Sequence, residues 1–128
     1  MKIDEFKKAV RDAVNNLPPK FLEKLENVEF VVEEWPSRQQ LIAAKLLHRR
    51  NALLFGLYQG VPQTRRAHYN LTFPDKISIF RGPIESICRN DNEVKQKIFD
   101  VIVHEIGHHF GLDEAELRKT HVVTRKLK

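Results

Sequence analysis

Six histidines occur in the 128 residues, and three fall in one short stretch, HEIGHHFGLDE, from His104 to Glu114. His104 and His108 are four residues apart, so on a helix they share a face and can both reach one metal ion. Zinc takes neutral imidazole nitrogens at about 2.0–2.1 Å, and a catalytic zinc keeps three protein ligands plus a water. Glu105, beside the first histidine, is placed to take a proton from that water, whose pKa zinc lowers to about 7. A third ligand is then required. Gly111 accepts a positive φ at little cost, and a turn there would bring Asp113 under the ion. Asp113 equally suits the N-cap of a following helix, with Glu116 completing a capping box. Glu114, Glu116, His121 and His68 are the competing donors. His109 falls at the margin of the apolar arc and reads as a packing histidine. Asp100, one turn before His104, would either orient that imidazole or sit on the surface as a plain carboxylate.

These residues need a rigid support, and the flanking sequence supplies one. Over 94–111 the helical period places Ile98, Phe99, Ile102, Val103, Ile106 and Phe110 on one broad arc. Lys97, Asp100, His104, Gly107, His108 and Gly111 fall opposite, as a polar strip, with Glu105 at its edge. The core would fix such a helix while the strip presents ligands. Asn90 and Glu93 have capping-box spacing at its start and Gly111 suits its end, so the helix is expected over 91–110. A last helix, 114–126, follows.

Upstream, Ile3, Phe6, Val10, Ala13, Val14 and Leu17 recur at helical spacing over 4–16. Pro18-Pro19 ends that helix and starts a short second one. VEFVVEEW, 28–35, alternates as a strand does. Ser37 and Gln40 resemble a capping box for a helix over 38–49. LLFGLYQG, 53–60, and KISIF, 76–80, read as two further strands, and Pro83 fits the first turn of a short helix. The connection from Val61 to Asp75 is long enough to suggest a functional loop.

The chain suits a single domain, 1–128. It is 41% hydrophobic and 30% charged, with a net charge of +5. Its basic residues are scattered and form no zinc-finger or aromatic-basic pattern, so nucleic acid is not the expected partner. No apolar run reaches the ~20 residues of a membrane span. MKIDEFKKAV lacks the apolar stretch of a signal peptide. Cys88 is the only cysteine, which excludes an internal disulfide. A cytoplasmic setting is expected; nothing in the sequence specifies an oligomeric state.

HEIGHHFGLDE resembles the active-site helix of the small bacterial zincin-like metallopeptidases, sometimes called minimal metalloproteases. LLFGLYQGVP, 53–62, resembles that family's leucine-glycine-leucine-tyrosine strand and the loop after it. ISIFRGPIE, 77–85, resembles its strand leading into arginine-glycine-proline-isoleucine. The resemblance implies His104, His108 and Asp113 as ligands of one zinc per chain and Glu105 as catalytic base. It also implies an α+β, zincin-like fold: a small, mostly antiparallel sheet of about three strands packed on the active-site helix, with flanking N- and C-terminal helices. The ligand spacing is similar to that of metzincins too. Those proteins have a methionine turn beneath the metal, whereas Met1 is the one methionine here.

The chemistry so implied is peptide-bond hydrolysis, with a peptide or protein as substrate. An extended substrate would add beside a sheet edge, offered by 53–58 or 76–80. Tyr58, His68, Tyr69, Arg65 and Arg66 are candidates for steadying an oxyanion. The alternative is a metal-binding interaction or regulatory module that keeps the site without turnover. Metal-dependent RNA cleavage fits less well, because the histidine spacing differs from that of three-histidine ribonucleases.

Overall fold

The computed structural model describes residues 1–49, 52–60 and 74–118. Helix α1 (Ile3–Asn15) buries Phe6, Ala9, Val10 and Ala13, the apolar face its period predicts. Pro19 opens α2 (Pro19–Leu22), which continues as a 3₁₀ turn, Glu23–Leu25. Strand β1 (Val28–Glu33) leads to α3 (Arg38–Ala43), whose capping box of Ser37 and Gln40 is complete. Strands β2 (Gly56–Gln59) and β3 (Asp75–Phe80) follow. Helix α4 (Arg81–Ile87) begins directly after β3 and carries Pro83 in its first turn. Helix α5 (Asp91–Phe110) spans the expected residues, with Asn90 Oδ1 accepting from the Glu93 amide at its start. Helix α6 (Glu114–Leu117) starts as expected; residues 119–128, where it was expected to continue, lie outside the described residues.

The architecture is α+β, with three strands among the described residues, in the order β1-β3-β2. The sheet is mixed rather than mostly antiparallel: β1 runs parallel to β3, and β2 antiparallel to it. The chain between β1 and β3 includes α3 and the whole of β2. That length permits the crossover a parallel pair needs. One face of the sheet carries Phe30, Val32, Tyr58, Ile77 and Ile79 against the core. The other carries Glu33, Lys76, Ser78 and Gln59, joined by Gln40 of α3 in a polar network: Ser78 Oγ donates to Glu33, and Gln40 Nε2 donates to Glu33 and to Gln59.

Helix α3 is shorter than the 38–49 expected. Lys45 has φ 61°; its amide bonds the Ile42 carbonyl at 2.9 Å, and the Leu46 amide bonds that of Leu41 at 2.8 Å. This is the Schellman closure, usually made with glycine at the left-handed position. A lysine there gives no warning in the sequence.

The core lies between the sheet, α1 and the back of α5. Phe6, Ile77, Ile79, Ile98, Ile102, Val103, Ile106 and Leu117 are completely buried. Helix α5 is thereby held on its apolar arc, and its polar strip is left facing out.

Candidate metal centre and cleft

Along the strip of α5, His104 and His108 are both exposed. Their rings are nearly parallel, 7° between planes, with centres 6.3 Å apart. Two imidazoles sharing one tetrahedral zinc have ring centres about 5 Å apart, given Zn–N distances near 2.1 Å. The pair therefore fits a shared ion after a side-chain adjustment of about an ångström. Zinc also favours neutral imidazole and carboxylate donors of this kind.

The turn after α5 is built as its glycine predicts. Gly111 has φ 63° and the Leu112 amide bonds the Gly107 carbonyl at 3.1 Å. The chain folds back over Gly107, where an added Cβ would lie 3.0 Å from Glu114 Cγ and 3.2 Å from the Leu112 carbonyl oxygen. Gly107 is thus buried, although the helical period assigned it to the open strip. Asp113 is exposed and caps α6, its Oδ1 accepting from the Ala115 amide at 2.8 Å. Among the described residues, no three histidine, cysteine, aspartate or glutamate side chains come together closely enough to hold an ion. The structure thus pairs His104 with His108 and leaves Asp113 as a cap on the adjoining turn, one oxygen committed to α6. Of the competing donors, Glu114 lines the cleft and Glu116 faces Lys20 at 3.6 Å. His68 and His121, like Arg65, Arg66 and Tyr69, lie outside the described residues.

Glu105 is set apart from its neighbours by burial. Its side chain is 13% exposed, and burial pushes its pKa up to about 7. The start of β2 covers it: a Cβ added to Gly56 would lie 2.5 Å from Val101 Cγ1 and 3.7 Å from Glu105 Cγ. Only a residue without a side chain lets the strand backbone approach this closely. His109 Nε2 lies 3.5 Å from Glu105 Oε2, and its ring stacks on Tyr58 with centres 4.5 Å apart. Burial, then the neighbouring His108 and His104, lower the His109 pKa. His109 thus packs its ring on Tyr58, but it is exposed, and among the described residues no hydrogen bond holds it. Tyr58 is engaged as well, its hydroxyl donating to Asp75 and its ring packing edge-on against Phe110. Asp100 does not serve His104; it accepts from Arg118 at 2.6 Å and from Gln96 at 2.9 Å.

The strip forms one side of a cleft of about 410 Å3. Leu53, Leu54, Phe55 and Gly56 form the opposing wall, and Glu114 and Arg118 border it. A larger cavity, about 530 Å3, lies between α1 and β1. Its charged lining is Lys7, Arg11 and Glu29, and it includes none of the candidate ligands. Lys97 falls on the strip by the helical period, yet neither it nor Phe55 is among the candidate site residues of the sequence. Neither carries a motif; their cleft positions arise only when β2 docks on α5.

A model of the zincin-like metallopeptidase family matches residues 25–122, which include the whole strip, the Gly111 turn and all three strands. No curated protein sequence matches. Among solved structures, a conserved hypothetical protein from T. thermophilus is similar, with a TM-score of 0.58 and 16% sequence identity. The alignment covers 86% of this chain and 94% of that one. At this identity the likeness concerns the fold.

Proposed function

The chain belongs to the zincin-like metallopeptidase family, and from that premise we propose that it is a zinc-dependent hydrolase of peptide bonds. His104, His108 and Asp113 would hold one zinc per chain, with Glu105 as the catalytic base. The observation that carries this reading is the contrast within one helical turn. Two parallel imidazoles stand exposed, and the glutamate between them is half-buried and raised in proton affinity. A lone exposed glutamate on a solvated helix face would show no such shift.

Zinc, when bound, would acidify a water and polarise the scissile carbonyl. Glu105 accepts the proton of the attacking water and returns it to the leaving amine. Its cover of β2 keeps bulk water from the carboxylate. Helix α5 fixes the spacing of base and ligands through Ile98, Ile102 and Ile106, all completely buried. An extended substrate would lie along β2. That strand is at the sheet edge, whereas β3 is paired on both sides and has no edge to offer. Of the two edges expected from sequence, only the first is open among the described residues.

The test is metal content, by mass spectrometry, of untagged protein purified without chelator. About one zinc per chain is expected, and loss of it in a His104→Ala/His108→Ala variant. Glu105→Gln should retain zinc and lose hydrolysis of a quenched-fluorescent peptide library. Zinc retained without hydrolysis by the unsubstituted protein would favour a metal-binding interaction module instead. Absence of zinc uptake at micromolar concentration would overturn both readings.

A further inference from the structure

We propose that Lys97 anchors a carboxylate of the substrate, about three residues to the C-terminal side of the bond that is cleaved. The proposal rests on the peptidase reading above and adds a substrate class to it.

Lys97 lies in the same cleft as His104 and Glu105. It is seven residues, or two turns, before His104 on α5, about 10.5 Å along the axis. Its ammonium sits 4.2 Å from the centre of the Phe55 ring, which limits its freedom and removes part of its hydration. Arg118, the other described lysine or arginine of the cleft, already faces two carboxylates. Arg118 binds Asp100 at 2.6 Å and lies 3.9 Å from Glu114. Among the described residues no carboxylate forms an ion pair with Lys97. Among the described residues, Lys97 is therefore the cleft cation that no carboxylate pairs with.

The direction follows from how β2 lies on α5. Phe55 meets Lys97, Gly56 meets Val101 and Glu105, and Tyr58 meets His109. Strand and helix thus run the same way. A substrate strand pairing antiparallel with β2, the slightly more stable arrangement, runs the opposite way. Its C-terminal portion then heads from Glu105 toward Lys97. At about 3.3 Å per extended residue, the separation corresponds to about three residues. A C-terminal carboxylate or an aspartate or glutamate side chain would satisfy the lysine equally.

Dansyl-labelled random heptapeptide pools lacking Asp and Glu test this, in three forms: free C-terminus, amidated, and amidated with one fixed glutamate. Binding to zinc-loaded Glu105→Gln protein is read by fluorescence anisotropy. The carboxylate-bearing pools should bind at least five-fold more tightly than the neutral one, and which of the two does so identifies the source. Lys97→Gln should abolish the preference and Lys97→Arg retain most of it. With unsubstituted protein, Lys97→Gln should raise KM for the preferred pool while kcat stays within two-fold. Product masses should place the cleaved bond about three residues before the carboxylate. Equal binding of all pools, no binding of any, or a preference that survives Lys97→Gln would overturn the anchor. The two readings fail separately. Glu105-dependent hydrolysis without carboxylate preference removes the anchor alone, whereas Lys97-dependent binding without hydrolysis of any pool removes the peptidase reading and the register, and leaves Lys97 as a carboxylate-binding residue.

Discussion

At the scale of single residues, two glutamates in similar sheet-and-helix settings are driven in opposite directions. Glu105 is half-buried beneath the start of β2, and His109 Nε2 at 3.5 Å makes no hydrogen bond to it, so desolvation raises its pKa to about 7. Glu33 is also desolvated, which by itself would raise its pKa. Hydrogen bonds from Ser78 and Gln40, and the Lys76 ammonium at 3.5 Å, outweigh that effect and lower it below the ordinary carboxylate value. The stability consequence of Glu33 has a definite sign. A folded-state pKa below the unfolded one means the unfolded chain binds more protons, so stability rises with pH through that range. The contribution is fully present above the unfolded value of about 4.5 and is lost as pH falls through the folded value. Glu33→Gln should therefore lower the midpoint of thermal unfolding at pH 7, and the gap to the unsubstituted protein should close toward pH 3. A gap that is constant across this range would mean that the amide loses packing alone and the charge network contributes nothing. The residues of the site were the most legible part of the sequence, because the His104–Glu105–His108 spacing and the helical period specify one face without any tertiary information. Asp113 was legible as two things, ligand and cap, and the structure displays the cap. Lys97 was not legible as a cleft residue, since nothing in its own neighbourhood indicates that Phe55 will cover it.

At the scale of elements, the site depends on one docking contact, β2 on α5. Helix α5 was readable to its first and last residue, because its apolar period, its Asn90 cap and its Gly111 stop all agree. The sheet was less so. Alternation in VEFVVE tells which side chains share a face, but not which strand is the neighbour nor in which direction it runs, so the parallel β1–β3 pair could not be derived. Gly56 is where this contact is closest, and its importance is measurable. A methyl group there would meet Val101 Cγ1 at 2.5 Å and the Ser78 carbonyl oxygen at 3.2 Å. The side chain can yield, whereas the central-strand backbone cannot. Gly56→Ala should destabilise the protein by about 1–3 kcal/mol, the usual range for overpacking. Removing the closest clash with Val101→Ala should restore part of that loss, giving a favourable coupling in a double-mutant cycle. Strict additivity of the two substitutions in chemical denaturation would show that β2 is not pressed against α5 in this manner.

At the scale of the whole molecule, the candidate site is supported by chain that the family model does not include. The family match begins at residue 25, yet α1 lies entirely before it. Phe6, Val10, Ala13, Leu17 and Phe21 are all buried in one cluster with Ile98, Phe99 and Ile102 of α5. Without α1 the back of α5 would be open to water, and a helix whose apolar arc is solvated has little to hold its ligand strip in place. Small domains have total stabilities of about 5–15 kcal/mol. Phe6→Ala, which removes a completely buried ring, should cost about 3–5 kcal/mol, a large share of that total. Because Phe6 touches only the core side of the fold, the variant should still take up one zinc per chain at low temperature, but melt earlier. Saturating zinc should raise the melting midpoint of both proteins, since a ligand that binds only the folded chain adds about 2.7 kcal/mol at a hundred times its Kd. Deleting residues 1–17 should have the more drastic result: no cooperative thermal transition, and strong binding of an apolar fluorescent dye. A deletion variant that melts cooperatively and binds zinc as tightly as the full chain would show that the sheet and the matched segment suffice to hold α5. The first helix would then have to be explained by some role other than supporting the site.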